Sequence, residues 1–269
     1  MMFNEETVVA SDGTRLFYRV AGEGPTTLLF LHGWAGSGSG PFWNRTLQYI
    51  DPIGLRLVLA DLRGHGRSDH ARDGFTTERF AEDMFEVADH AGAAKLIIVA
   101  YSMSGRWAQW MACTKPNRVR GQILFGPAPA VALPLTEETP DDWIRATATR
   151  DTWANLIGQL TRNRLSEDTL DVFCSSVQTT PEHSLRESYR MCTRPGFLDR
   201  LDATTARTLV VAGAHDPMLP LENVREHIVR PIPAARLALL DCGHEIPLEL
   251  PRETGTLIEA FVSGLGTSD

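Results

Sequence analysis

The sequence predicts an α/β chain: a mostly parallel sheet of roughly eight strands, helices on both faces, and a helical insertion after the sixth strand. Three observations predict it. Short apolar runs alternate with stretches of helical periodicity as far as Phe125. From Pro127 to about Arg200 the strand-like runs stop, and short helical patterns broken by prolines replace them. At Leu209 the buried-strand pattern resumes.

Each element has its own warrant. Thr7 to Ala10 and Arg15 to Ala21 read as short strands around the turn signal Asp12-Gly13. Thr27 to Leu31 is continuously apolar, as a strand covered on both faces should be, and Arg56 to Ala60 is similar. Between Thr77 and Ala91, residues Phe80, Met84, Val87 and Ala91 recur at helical spacing. Leu96 to Ala100 is a further buried strand. The helix after it carries Trp107, Ala108, Met111 and Ala112 and stops before Pro116. Gln122 to Phe125 is the sixth strand. Within the insertion, helices are expected at Asp141–Ala148, Thr152–Leu160, Glu167–Val177 and Ser184–Cys192, between breaks at Pro134, Pro140, Pro181 and Pro195. Leu209 to Ala212 and Arg236 to Leu240 complete the sheet, and a last helix runs from about Glu253 to Ser263. Residues 1–129 and 201–269 read as the core domain, and 130–200 as a helical cap over the strand ends where ligands bind in such sheets.

The 269 residues suffice for one large domain with an insertion. A net charge of −8, with no Lys/Arg run, argues against nucleic acid or an anionic membrane as the partner and leaves a small molecule. The opening Met1-Met2-Phe3-Asn4-Glu5-Glu6 lacks the apolar core of a signal peptide, and no apolar run approaches the roughly 20 residues of a membrane span. Cys113, Cys174, Cys192 and Cys242 are scattered without metal-ligand spacing. They are expected to be reduced thiols in a cytoplasmic protein that needs no metal.

Chemistry enters at Ile97-Ile98-Val99-Ala100-Tyr101-Ser102-Met103-Ser104-Gly105, which reads strand, sharp turn, helix with Ser102 at the turn. A nucleophile elbow needs small residues two before and two after the nucleophile. Here these are Ala100 and Ser104, where glycines are usual. Ser104 would instead put Arg106 at a position that must be small. The alternative for Ser102 is a helix cap. Asp216 lies in the turn after the strand Leu209–Ala212, and His244 follows the last strand in Asp241-Cys242-Gly243-His244. Each competes with a neighbour: His215 sits beside Asp216, and Asp241 lies three residues before His244.

Taken together these residues resemble the α/β-hydrolase fold family, over nearly the whole chain. His32-Gly33-Trp34 resembles its oxyanion-hole motif. Asp61-Leu62-Arg63-Gly64-His65-Gly66-Arg67-Ser68 resembles its loop after the fourth strand. Gly243-His244 with Glu249 and Pro251 resembles the ending around its catalytic histidine. The resemblance implies a catalytic triad of Ser102, Asp216 and His244, with the backbone N–H groups of Trp34 and Met103 forming the oxyanion hole. It implies no cofactor. It also implies structural roles for His32 and His65. Relatives that displace halide or open epoxides use an aspartate nucleophile, so Ser102 argues against both activities.

The expected activity is a serine hydrolase of the carboxylesterase or enol-lactonase type, acting through an acyl-enzyme on small to medium, mainly apolar esters or lactones. Carbon–carbon bond hydrolysis and cofactor-free oxygenation on the same fold are the alternatives, with a non-catalytic ligand receptor behind them. Trp34, Trp143, Trp153 and Leu219 are expected to line the pocket, with Ile157, Leu160, Phe173 and Met191 as further apolar groups of the insertion. Arg145, Arg162 and Arg186 would be the groups to bind a carboxylate. Trp107 and Trp110 read as core, and His70, His90, His183 and His227 as surface residues.

Overall fold

Alternation along the strands sets the architecture. In β3 (Thr26–Leu31), Leu29 and Leu31 join one apolar layer while Leu28 and Phe30 join the other. β5 (Leu96–Tyr101) repeats this, with Ile98 and Ala100 on one side and Ile97, Val99 and Tyr101 on the other. Strands apolar on both faces need helices on both faces. The computed structural model describes residues 1–36, 40–133, 139–177 and 179–266.

The remaining strands are β1 (Asn4–Val9), β2 (Arg15–Ala21), β4 (Leu55–Ala60), β6 (Val119–Phe125), β7 (Arg207–Gly213) and β8 (Arg236–Leu240). All eight form one sheet in the order β1-β2-β4-β3-β5-β6-β7-β8. β1 and β2 form an antiparallel hairpin through Asp12-Gly13, and β2 runs antiparallel to β4; every other pairing is parallel. The expected eight-stranded, mostly parallel sheet is therefore present. Its bounds differ by three residues at two strands and by one or two at four others: β1 starts at Asn4 rather than Thr7, and β6 at Val119 rather than Gln122. Both extra stretches carry polar residues, Asn4-Glu5-Glu6 and Arg120, which the apolar pattern skips but the ladder pairs.

One face is covered by α2 (Thr77–His90) and α3 (Ser104–Thr114), which bury Phe80, Met84, Trp107 and Met111. Phe80 and Trp107 stack at 4.6 Å between ring centroids. The other face is covered by the short α1 (Asn44–Leu47) and by α10 (Pro251–Leu265), through Trp43, Leu47, Ile258 and Phe261. Between β6 and β7 the chain forms α4 (Thr139–Ala146), α5 (Arg150–Thr161), α6 (Glu167–Val177) and α7 (Glu182–Met191). The expected break at Pro134 lies outside the described residues. A single turn, α8 (Leu221–Val224), runs on into a π-helical turn over Arg225–Val229, and α9 (Ile246–Glu249) precedes α10.

Buried charges pin the loops at the carboxyl ends of the strands. Arg63, fully buried, makes a bidentate pair with Asp83 of α2 (2.6 and 2.8 Å) and reaches Asp12 at 2.7 Å. Arg106 of α3 is equally buried, but its partners are carbonyls: Pro129 and Val131 after β6, Arg194 and Pro195 after α7. One guanidinium thus ties both ends of the α4–α7 segment to the helix that follows Ser102. The four cysteines are free and buried. No helix among the described residues is long and apolar enough to cross a membrane.

Candidate active site

The turn between β5 and α3 holds Ser102 at φ 52°, the left-handed region that costs an ordinary L residue energy. The strain is held by three backbone bonds: Ser102 N–H to Phe125 O (2.9 Å), and Gly105 and Ala128 N–H to Ser102 O (2.9 and 2.8 Å). Only glycine fits at position 105, because an added Cβ would lie 2.3 Å from Pro127 Cβ. Ser104 is fully buried, and its hydroxyl is committed to the backbone. It donates toward Tyr101 O and Leu31 O and accepts from Tyr101 N–H.

His244 arrives from β8. Its N–H donates to Leu160 O of α5 (2.9 Å), and an added Cβ at Gly243 would lie 2.1 Å from that same oxygen. The glycine thus lets the histidine loop press against the end of α5. His244 Nε2 lies 2.9 Å from Ser102 Oγ, and Nδ1 lies 2.7 Å from Asp216 Oδ2. The carboxylate fixes the tautomer: Nδ1–H donates to Asp216, so Nε2 is free to accept from the serine hydroxyl. The second Asp216 oxygen accepts from the N–H groups of Met218 (2.8 Å) and Leu219 (3.1 Å). The competing residues pair with each other instead. His215 Nε2 meets Asp241 Oδ1 at 2.7 Å on the exposed outside.

Burial alone would raise the Asp216 carboxyl and lower His244. In both cases the partner outweighs it: Asp216 sits below the ordinary carboxylate range and His244 above the ordinary histidine range. The backbone N–H groups of Met218 and Leu219 add to the first effect.

His32 anchors the loop that carries Trp34. Its Nδ1–H donates to Gly33 O (2.7 Å) and its Nε2 accepts from Leu62 N–H (3.1 Å), which requires the neutral ring, and full burial pushes its pKa down. Trp34 Nε1–H donates to Leu185 O of α7 (2.8 Å). Among the described residues, no backbone acceptor engages the main-chain N–H of Trp34 or of Met103.

Ser102 and His244 open into a cavity of about 530 Å³. Trp34, Trp143, Trp153 and Leu219 all line it, as do Ile157, Leu160 and Phe173. Met191 does not: it is buried in the layer of α2 and α3, where Thr77 Oγ1 donates to its sulfur. The aromatic wall is continuous, with Trp34 5.8 Å from Trp143, 6.0 Å from Trp153 and 5.7 Å from Tyr189 between ring centroids. Among the described residues, no arginine or lysine lines the cavity. Arg186 pairs with Asp141 and Glu182, and Arg145 pairs with Asp142.

His227, Asn223 and Glu245 are among the lining residues that escaped the sequence reading. His227, expected on the surface, is half-buried and lines the cavity from the π-helical turn, with Asn223 of α8 beside it. A π turn leaves no periodicity signal to read. Glu245 also lines the cavity at 3% exposure. Its adjacency to His244 was the only available clue. His183 is half-buried rather than exposed and lies 3.1 Å from Ala71 O.

The model of the alpha/beta hydrolase fold family matches residues 26–172. The chain belongs to that family. A non-heme haloperoxidase of Rhodococcus erythropolis is 27% identical over 247 residues, covering 86% of this chain and 89% of its own. An esterase from Exiguobacterium antarcticum superposes with a TM-score of 0.85 at 22% identity, covering 97% of this chain and 99% of its own. The enol-lactonase from Burkholderia xenovorans LB400 does so at 0.80 and 18% identity, covering 96% and 100%. At such identities the two structural likenesses establish the fold alone.

Proposed function

We propose that this hydrolase-family enzyme cleaves carboxylic esters or lactones of small to medium, mainly apolar substrates through an acyl-enzyme on Ser102. The observation that carries the reading is the unbroken contact chain Ser102–His244–Asp216, opening into an apolar cavity. His244 takes the serine proton as Ser102 Oγ attacks the acyl carbon, and returns it to the departing alcohol. Asp216 holds the ring and stabilises its cationic form. Water then attacks the acyl-enzyme, giving its proton to His244, and Ser102 is released.

The oxyanion falls to the Trp34 and Met103 N–H groups, each worth about 3 kcal/mol of transition-state stabilisation. Met103 stands at the N-terminus of the eleven-residue α3, which favours negative charge there. A cavity of about 530 Å³ suits a small-molecule ligand, and its lack of arginine and lysine among the described residues favours neutral substrates over polycarboxylates. In this reading residues 130–200 act as a cap whose α4–α7 segment sets acyl-length preference. The relatives' names span haloperoxidase, esterase and lactonase. The choice of bond therefore rests on the apolar lining of the cavity.

The test is a panel of esters and lactones of graded acyl length, run with Ser102→Ala. Turnover lost in that variant, with an unchanged melt, supports the reading. Turnover that persists in it removes the reading.

A further inference from the structure

Glu245 is a buried acid that the proposed chemistry does not use. It is 3% exposed, it lines the cavity, and its Oε2 has no hydrogen-bond partner among the described residues. An orphaned carboxylate oxygen on a residue that lines an apolar cavity is costly and calls for an explanation. Its position narrows what that ligand is. Glu245 follows His244 directly. The hydroxyl of Tyr101, the residue before Ser102, lies against its carboxyl. The Tyr101 ring in turn sits 5.4 Å from the His244 ring and stacks on Phe42 at 4.8 Å. The acid is therefore held beside the reacting pair.

We infer that Glu245 is a specificity residue that accepts a hydrogen bond from a substrate hydroxyl a few bonds from the scissile carbonyl, so that hydroxylated esters or lactones are preferred over their plain counterparts. The inference rests on the ester-hydrolase reading above. A hydroxyl fits because it can donate to the carboxylate and still accept from the protonated acid.

Burial pushes the Glu245 pKa up to about 7, with Glu249 and Asp216 acting in the same direction and His244 and Tyr101 against it. Among the described residues, those four are the ionisable groups that act on it most strongly. The acid is thus mostly protonated below about pH 7 and charged above it, and the charged form is the stronger acceptor. Preference for the hydroxylated substrate should grow as pH rises through that value.

The experiment compares matched pairs: methyl butyrate with its β-hydroxy analogue, and propyl butyrate with hydroxyethyl butyrate. The readout is acid release on the parent enzyme, Glu245→Gln and Glu245→Leu, at about pH 6 and about pH 8. In parallel, the same pairs are titrated onto Ser102→Ala by tryptophan fluorescence, since Trp34, Trp143 and Trp153 line the cavity. The parent should favour the hydroxylated member of at least one pair by about tenfold at the higher pH. Glu245→Leu should lose the preference, and Glu245→Gln should lose its pH dependence. Ratios near one for both pairs in the parent overturn the inference even if all four esters are hydrolysed. A preference equally strong in a folded Glu245→Leu, or unchanged with pH in both parent and Glu245→Gln, also overturns it. Absence of all turnover would instead remove the ester reading, and the fluorescence titration would still decide the role of Glu245.

Discussion

Trp143 and Trp153 line the same cavity, yet truncating them should have opposite emphasis. Trp153 is 2% exposed, tilted against Phe173 at 5.9 Å and Trp34 at 6.0 Å. Its indole N–H has no partner among the described residues, so Trp153→Ala removes apolar burial and leaves a cavity without breaking a hydrogen bond. Burial of this kind costs about 3–5 kcal/mol when truncated. At roughly 2–4 °C per kcal/mol for a chain of this size, Tm should fall by about 10 °C. Trp143 is only half-buried, so Trp143→Ala should cost about 1 kcal/mol while still opening the aromatic wall. The assay is a thermal melt of each variant beside kcat/KM for esters of increasing acyl length. Trp143→Ala should shift the long-to-short ratio by several-fold, the scale of one or two methylenes. A Trp153→Ala variant that melts within about two degrees of the parent would refute the burial argument. An unchanged acyl ranking in Trp143→Ala would remove that residue from the pocket wall.

Other outcomes follow from the same geometry. Asp216→Asn should lower kcat by about three to four orders of magnitude in steady-state assays, because the ring loses the anion that fixes its tautomer; near-normal turnover would point to another acid. Ser104→Ala should keep most activity but lose about 1–2 kcal/mol of stability in denaturant melts, since its buried hydroxyl serves the backbone. Arg106→Met leaves four carbonyls without their donor and should cost about 3 kcal/mol or more, with faster proteolysis between β6 and β7 as a second readout. In a pH profile, kcat/KM should fall as pH drops through a pKa above the ordinary histidine value, because protonated His244 cannot take the serine proton. Asp216→Asn should move that limb to lower pH.

Much of the site was legible because its chemistry is local. A small-residue turn after an apolar strand marks Ser102, and Gly243 marks the bend that delivers His244. The choice of Asp216 over Asp241 was harder, because it depends on which carboxylate faces inward. In the fold Asp216 faces His244 while Asp241 turns outward to His215. Residues whose role comes from distant packing left weaker traces. Trp153 reads in sequence like any aromatic on an amphipathic helix, and only its burial against Phe173 of α6 distinguishes it from Trp143. Arg106 looks like a surface charge on a helix until four carbonyls from two distant segments converge on it. His227 was misplaced because the π turn at Arg225–Val229 has no sequence period, and Glu245 was not singled out, since a charged residue beside a histidine carries no pattern of its own.

The central claim is that Ser102 is an activated nucleophile, and covalent labelling with a fluorophosphonate tests it most directly. Attack by Ser102 Oγ on phosphorus expels fluoride and leaves a stable phosphonyl-serine. The account predicts stoichiometric labelling, located by peptide mass spectrometry on Ser102, absent in Ser102→Ala and markedly slowed in Asp216→Asn. Labelling on Ser104, or at Ser102 with a rate indifferent to loss of Asp216, would contradict it.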